Sequence, residues 1–182
     1  MDTASRTRIG LAAFACFLAC IPLANWMIGH IGTVCVPQGP CLVPVAPGLL
    51  APSGVLTVGA ALVLRDVVQR CLGLTWGLLA IVIGTLLSAL IAPASLVFAS
   101  GCAFALSECA DFAVYTPLQQ RQLTLAVVAS SCVGLIVDSV VFLGLAFGSL
   151  EFLPGQVVGK LWAVLIAIPL MRLLRRVAPT PA

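Results

Sequence analysis

Charge is scarce in this chain of 182 residues: nine Lys and Arg and six Asp and Glu make up 8% of it, against roughly 25% in an ordinary soluble domain. So few charges cannot coat a globule of this size, which excludes a soluble fold. With 62% apolar residues and a mean hydropathy of +1.20, lipid must be the solvent for most of the surface. Histidine is nearly absent, with His30 the only one, and no metal-ligand cluster can be assembled around it. A glycine-rich phosphate loop is also missing, so any coupling to ATP must come from another protein. The net charge of +3 rests on scattered arginines that form no stripe for a nucleic acid.

What the chain has in quantity is apolar sequence and cysteine. Cys16, Cys20, Cys71, Cys102, Cys109 and Cys132 lie in or beside apolar runs, with no C-x-x-C pair, and read as small lipid-compatible residues. Cys35 and Cys41 differ, because they share the polar loop VCVPQGPCLVP and close a short ring around Gly39 and two prolines. They can bridge if that loop faces an oxidising space.

A helix crossing ~30 Å of hydrocarbon needs about 20 apolar residues. Six such stretches are expected, at 8–28, 49–67, 72–92, 94–117, 122–147 and 153–174, separated by short segments marked by Pro37 to Pro52, Pro93, Pro117 to Arg121 and Ser149 to Pro154. Arg6 and Arg8 ahead of the first run also resemble a secretory signal. That run continues to Met27, long enough to span, which a signal peptide's apolar core is not. The fold class expected is an all-α integral membrane protein, a single polytopic domain over residues 1–182. Six spans put both termini on one side and divide into two inverted three-helix halves if span two matches span five.

Basic residues sort by side. Arg6 and Arg8 precede span one, Arg65 and Arg70 fall between spans two and three, Arg121 between four and five, and Arg172, Arg175 and Arg176 end span six. The opposite loops hold only His30 and Glu151. The positive-inside rule then places both termini in the cytoplasm, as expected of a multi-pass protein of the bacterial cytoplasmic membrane.

The remaining charges, Asp2 apart, lie in or at the ends of spans: Asp66, Glu108, Asp111, Asp138 and Lys160. Each costs about 2.5–3.5 kcal/mol at a helix centre, which makes them functional candidates unless they serve only as structural ion pairs. In span four, Ser100, Phe104, Ser107, Glu108, Asp111 and Tyr115 recur at steps of three and four and share one stripe. Two carboxylates on one face repel unless a cation or a hydrogen-bonding ligand sits between them. Span five adds Ser131 and Asp138 with Gly134 between them, and span six adds Gln156 and Lys160. Asp138 lies roughly 15 Å and Lys160 about 10 Å from the same end of their spans, so an ion pair between them is expected. Span two, interrupted by Pro52, Gly54 and Gly59, has the composition of a discontinuous transporter helix.

At these residues the sequence resembles the vitamin uptake transporter family, also called the queuosine precursor transporter family. The resemblance rests on PSGVL and LRDVVQRCLG in span two, ASGCAFALSECADFAVY in span four, ASSCVGLIVDS in span five and GK with IP in span six, together with Asn25. It implies import of a 7-deazaguanine precursor of queuosine, 7-cyano- or 7-aminomethyl-7-deazaguanine, for tRNA modification. The matched positions are Asp66, Ser107, Glu108, Asp111, Ser130, Asp138 and Lys160. Relatives often carry an acid near Arg70, an asparagine at Ser131 and a polar pair at Gly134 and Leu135, so this chain lacks some amide donors. Such a ligand suits the residues. Its N1–H and exocyclic amine can both donate to one carboxylate, for which Glu108 is the first choice. Phe104, Phe142 or Trp162 could stack on the ring, Ser107 and Ser131 could bond its carbonyl, and a cationic aminomethyl group would seek Asp111 or Asp138. No cofactor is expected, and the partners are the small-molecule substrate and the bilayer, with a homo-oligomer left open. Two other classes compete. One is an intramembrane aspartyl hydrolase using Asp111 and Asp138, although the glycine-flanked motif of such enzymes is missing. The other is a substrate-binding subunit for another small vitamin-like molecule that needs a separate ATPase.

Overall fold

The computed structural model describes residues 3–37, 39–91 and 96–177, and for residues 3, 167, 168 and 170–177 the helix course alone. Asp2, the Pro93 break and the side chains of Arg172, Arg175 and Arg176 lie outside the described residues. Among the described residues six helices are formed: α1 (Thr3–His30), α2 (Val55–Leu72), α3 (Leu74–Ile91), α4 (Val97–Leu118), α5 (Leu123–Phe147) and α6 (Leu153–Val177). Between α1 and α2 lies a small antiparallel sheet of β1 (Val34–Cys35), β2 (Cys41–Ala46) and β3 (Leu49–Pro52). The chain is an all-α membrane protein apart from this sheet. Helices α1, α3, α4 and α5 each contain a window long and apolar enough to cross a membrane. The described apolar part of α6 is shorter, Leu153–Ile166. Helix α2 fails on composition, because Arg65, Asp66 and Arg70 all fall within its 18 residues.

Span two was expected at 49–67, and here the structure corrects the sequence reading. Residues 49–52 pair with β2, with Val43 opposite Ala51 and Leu42 opposite Pro52, and the helix begins only at Val55. An apolar run bounded by prolines and glycines suits a short strand as well as a helix entrance, and hydropathy cannot separate the two. Pro47 and Gly48 make the β2–β3 turn, with Gly48 at φ 73°, a conformation glycine adopts without steric penalty. The helix start moves six residues toward the C-terminus, and Arg65 goes with it. It does not lie in a loop between spans two and three but inside α2, with no exposed surface. Nor is α2 discontinuous: Pro52 ends β3 and Gly54 precedes the first turn.

Cys35 and Cys41 sit opposite one another in the β1–β2 register and form a disulfide. The sheet is fastened on both sides. The Ser53 hydroxyl donates to the Met27 carbonyl of α1 at 2.6 Å, and the Trp162 indole of α6 donates to the Val45 carbonyl of β2 at 3.0 Å. At the opposite end of the bundle the Arg6 guanidinium donates to the Cys71 carbonyl at 2.9 Å, satisfying a terminal acceptor of α2.

Helix α2 is central, packing against each of the other five helices. Small side chains permit this. A Cβ placed on Gly59 would meet Ala163 Cβ at 2.9 Å and Lys160 Cα at 3.1 Å, so α2 and α6 approach nearly backbone to backbone. The two triplets are not packed alike: α1 touches both α2 and α3, whereas α4 and α6 barely touch among the described residues. Two apolar clusters occupy opposite ends, one of Val67, Val68, Tyr115, Ala126 and Val127 with Ala13, the other of Ala99, Ala103, Phe142 and Leu143 nearer the sheet.

Gly59→Val should overpack the α2–α6 seam and destabilise the fold by about 1–3 kcal/mol, read as a lowered thermal midpoint in detergent. Gly144→Val, at a position where an added Cβ meets nothing within 4 Å, should leave the midpoint close to that of the parent protein.

Candidate functional site

The charges expected to form a ladder across the membrane resolve into two clusters. The first is centred on Arg65. Its Nε donates to Glu108 Oε2 at 3.0 Å, one Nη donates to Asp111 Oδ1, and the other donates to the Gln69 side-chain oxygen at 3.1 Å while lying 3.1 Å from Asp66 Oδ1. The guanidinium carbon also lies 5.6 Å from the ring centroids of Phe112 and Tyr115, a spacing at which an aromatic face attracts a cation. Gln69 continues the network to the Thr116 hydroxyl at 3.1 Å. Arg65, Asp66, Glu108 and Asp111 are all buried, none more than 1% exposed. The cation between the stripe carboxylates is therefore Arg65, which the sequence reading had not placed in the candidate site. A signal was present: two carboxylates on one face of span four lacked an assigned cation, and Arg65 stood beside an intramembrane aspartate.

Lys160 anchors the second cluster. Its ammonium donates to Asp138 Oδ2 at 2.5 Å, to the Ser139 hydroxyl at 2.7 Å and to the Gln156 side-chain oxygen at 2.9 Å. The pair expected from helix depth is formed. All three protons of the ammonium have acceptors, as a buried lysine requires. Ser139 passes its own proton to the Leu135 carbonyl at 2.6 Å.

A cavity of about 710 Å³, counted to its open side, occupies the half of the bundle nearer the sheet. All six helices reach it, with apolar walls from α1, α2, α4 and α5. Its polar lining is Asn25, Ser88, Ser100, Ser107, Glu108, Asp138, Gln156 and Lys160, of which Ser88 alone carried no sequence signal. The size and the few convergent polar groups fit a small-molecule site. Glu108 is the lining residue of α4 farthest from the sheet, and Arg65, behind it, does not line the space. One carboxylate is thus held from the rear by a guanidinium and faces the cavity in front.

The expected site residues divide accordingly. Phe104, Ser107, Glu108, Asp138 and Lys160 line the cavity, with Phe142. Asp66, Asp111 and Ser131 do not; the first two belong to the Arg65 cluster, and Ser131 is fully buried on α5. Gly134 on α5 lets Asp111 approach, since a Cβ there would meet Asp111 Cβ at 3.0 Å. Of the three stacking candidates, Trp162 is half exposed on the outside of α6 and tied to the sheet, so it has no place in the cavity. Phe104 packs against Phe17 with ring centroids 5.9 Å apart, and the Ser107 hydroxyl donates to the Phe104 carbonyl at 3.1 Å.

A multi-helix membrane protein with a polar-lined cavity and buried ion pairs beside it has the build of a small-molecule transporter. Residues 92–181, which include helices α4, α5 and α6, match the family model described as "Putative vitamin uptake transporter". No curated protein and no solved structure matches the chain.

Removing the central cation should be costly to the fold. Arg65→Met is expected to destabilise by about 3–5 kcal/mol, because it strands carboxylates it had paired. Adding Asp111→Asn to Arg65→Met should restore part of the loss. Thermal midpoints of the single and double variants in lipid nanodiscs decide the point.

Proposed function

We propose that this protein imports a 7-deazaguanine precursor of queuosine, in its 7-cyano or 7-aminomethyl form, across the bacterial cytoplasmic membrane. In this reading six helices span the bilayer with both termini in the cytoplasm and the sheet outside. Arg6, Arg8 and Arg121 still gather on the side opposite the sheet, and the asymmetry survives the loss of Arg65 from the count. The cavity then lies in the outer half, and the Arg65 cluster stands between it and the cytoplasm.

The observation that carries the proposal is Glu108 at the deep end of the cavity with Arg65 behind it. A carboxylate facing a low-dielectric cavity is the acceptor that the paired N–H groups of a guanine-like edge require. Phe104 and Phe142 supply wall area for the ring, and Ser107, Gln156 and the Lys160–Asp138 pair offer polar contacts to its rim. In a family of transporters these groups bind rather than catalyse. Uptake of labelled deazaguanines by cells unable to make the precursor, with guanine as competitor, tests the substrate class. Transport by the protein alone in liposomes separates a self-sufficient transporter from a binding subunit that requires an ATPase.

Glu108→Gln should lower uptake at low substrate by at least about tenfold, the loss of a charge-assisted bidentate contact. Arg65 Nε demands an acceptor, so the glutamine oxygen will turn toward it and present its amide N–H₂ to the donor edge of the base. Normal insertion with uptake at parent affinity would place base recognition on another helix. Topology is checked separately by reporter fusions, which should put Arg121 in the cytoplasm and the 29–49 segment outside.

A further inference from the structure

The Arg65 cluster holds three carboxylates, Asp66, Glu108 and Asp111, against one guanidinium, all buried. Arg70, farther along α2 and also buried, raises the cations to two. One carboxylate still lacks a compensating charge. Among the described residues of the elements packed on α2, α1 brings Arg6, whose guanidinium is spent on the Cys71 and Arg70 carbonyls at the helix end, α3 has no charged residue, α5 brings only Asp138, which is taken by Lys160 of α6, and α4 adds Tyr115, whose hydroxyl donates to the Asp66 carbonyl at 3.3 Å. An uncompensated carboxylate in so dry a place is untenable, because burying a lone ion costs several kcal/mol even after the surroundings relax.

Hydrogen bonding points to the same gap. Both carboxyl oxygens of Asp66 and Oδ2 of Asp111 are buried without a well-aligned hydrogen bond, although an Arg65 nitrogen lies 3.1 Å from Asp66 Oδ1 as an ion pair and the Ser130 hydroxyl stands beside Asp111. The two side chains are near enough to interact directly. What is missing is therefore a donor between two acidic groups, and a protonated carboxyl supplies one O–H. A metal ion fits less well, since among the described residues no three acidic, cysteine or histidine side chains converge to hold one.

We propose that the Asp66–Asp111 pair binds one exchangeable proton, and that its passage from outside to the cytoplasm drives uptake. The proton adds to a carboxylate oxygen when the site communicates with external water and leaves to cytoplasmic water when it communicates with the inside, so no other reactant is required. Coupling to the cavity runs through Arg65, which holds Glu108 and Asp111 at once. The link to uptake rests on the function proposed above; the proton site does not.

Two measurements on the protein in lipid vesicles keep these apart. Infrared difference spectra at neutral pH should contain the C=O band of a protonated carboxyl, lost in Asp66→Asn and in Asp111→Asn and kept in Glu151→Gln, an exposed position. Absence of that band from the parent protein, or its survival in both asparagine variants, overturns the proton site. An imposed gradient of one pH unit, acid outside, should raise accumulation of a neutral labelled deazaguanine about tenfold at zero membrane potential if one proton accompanies each substrate, and Asp66→Asn should abolish that response. Exchange of the substrate without any response to the gradient overturns the coupling. A parent protein that neither exchanges nor accumulates deazaguanines overturns the substrate reading, and with it the coupling to that substrate, while the infrared band still decides the proton site.

Discussion

Everything in this bundle is arranged around one guanidinium that has no access to water. Arg65 must find acceptors inside the protein, and it finds them on α4, one turn of which carries Glu108 and Asp111. That requirement fixes the rotation of α2 about its axis and the face that α4 presents to it. It also accounts for the small residues that let helices close around α2, among them Gly59 facing α6 and Gly134 facing Asp111. The flanking aromatics Phe112 and Tyr115 complete a shell that Gln69 and Thr116 extend by hydrogen bonds. Burying such a network contributes little to net stability compared with apolar packing of the same volume, so its retention is better understood through the cavity it adjoins.

The cavity and the cluster share a single residue, Glu108. On one side it belongs to a rigid hydrogen-bonded array, on the other to a space with room for a small heterocycle. Anything that binds its carboxylate from the cavity competes with, or is ordered by, the donor behind it. The Lys160–Asp138 pair also lines the cavity, but its hydrogen bonds to Ser139 and Gln156 stay within α5 and α6 and do not reach the Arg65 cluster.

Much of this was legible in the sequence, and the failures have a physical cause. Helices α1, α3, α4 and α5, the four long and apolar enough to cross a membrane among the described residues, follow from apolar length alone, because a helix in lipid must satisfy its own backbone. The Lys160–Asp138 pair followed from rise per residue, and the Cys35–Cys41 bridge from their place in the one polar loop. Span two was misplaced because residues 49–54 are apolar in a strand and turn just as they would be in a helix. That error carried Arg65 out of the membrane and hid the cation that Glu108 and Asp111 needed. Which residues line a cavity depends on helix rotation, and rotation is set by contacts between helices distant in the chain. For that reason Asp66, Asp111 and Ser131 could not be separated from Glu108 by pattern alone.

The three charges of α2 bear on how the protein is made. A segment carrying Arg65, Asp66 and Arg70 partitions poorly into lipid by itself, and the adjacent Arg65 and Asp66 offset only part of that penalty by travelling as a pair. The carboxylates that complete the cluster are synthesised later, Glu108 trailing Arg65 by 43 positions. Until α4 has been made, a helix α2 in lipid would hold Arg65 without the Glu108 and Asp111 carboxylates, so the later hairpin of α3 and α4 brings the counter-charges that its predecessor lacks.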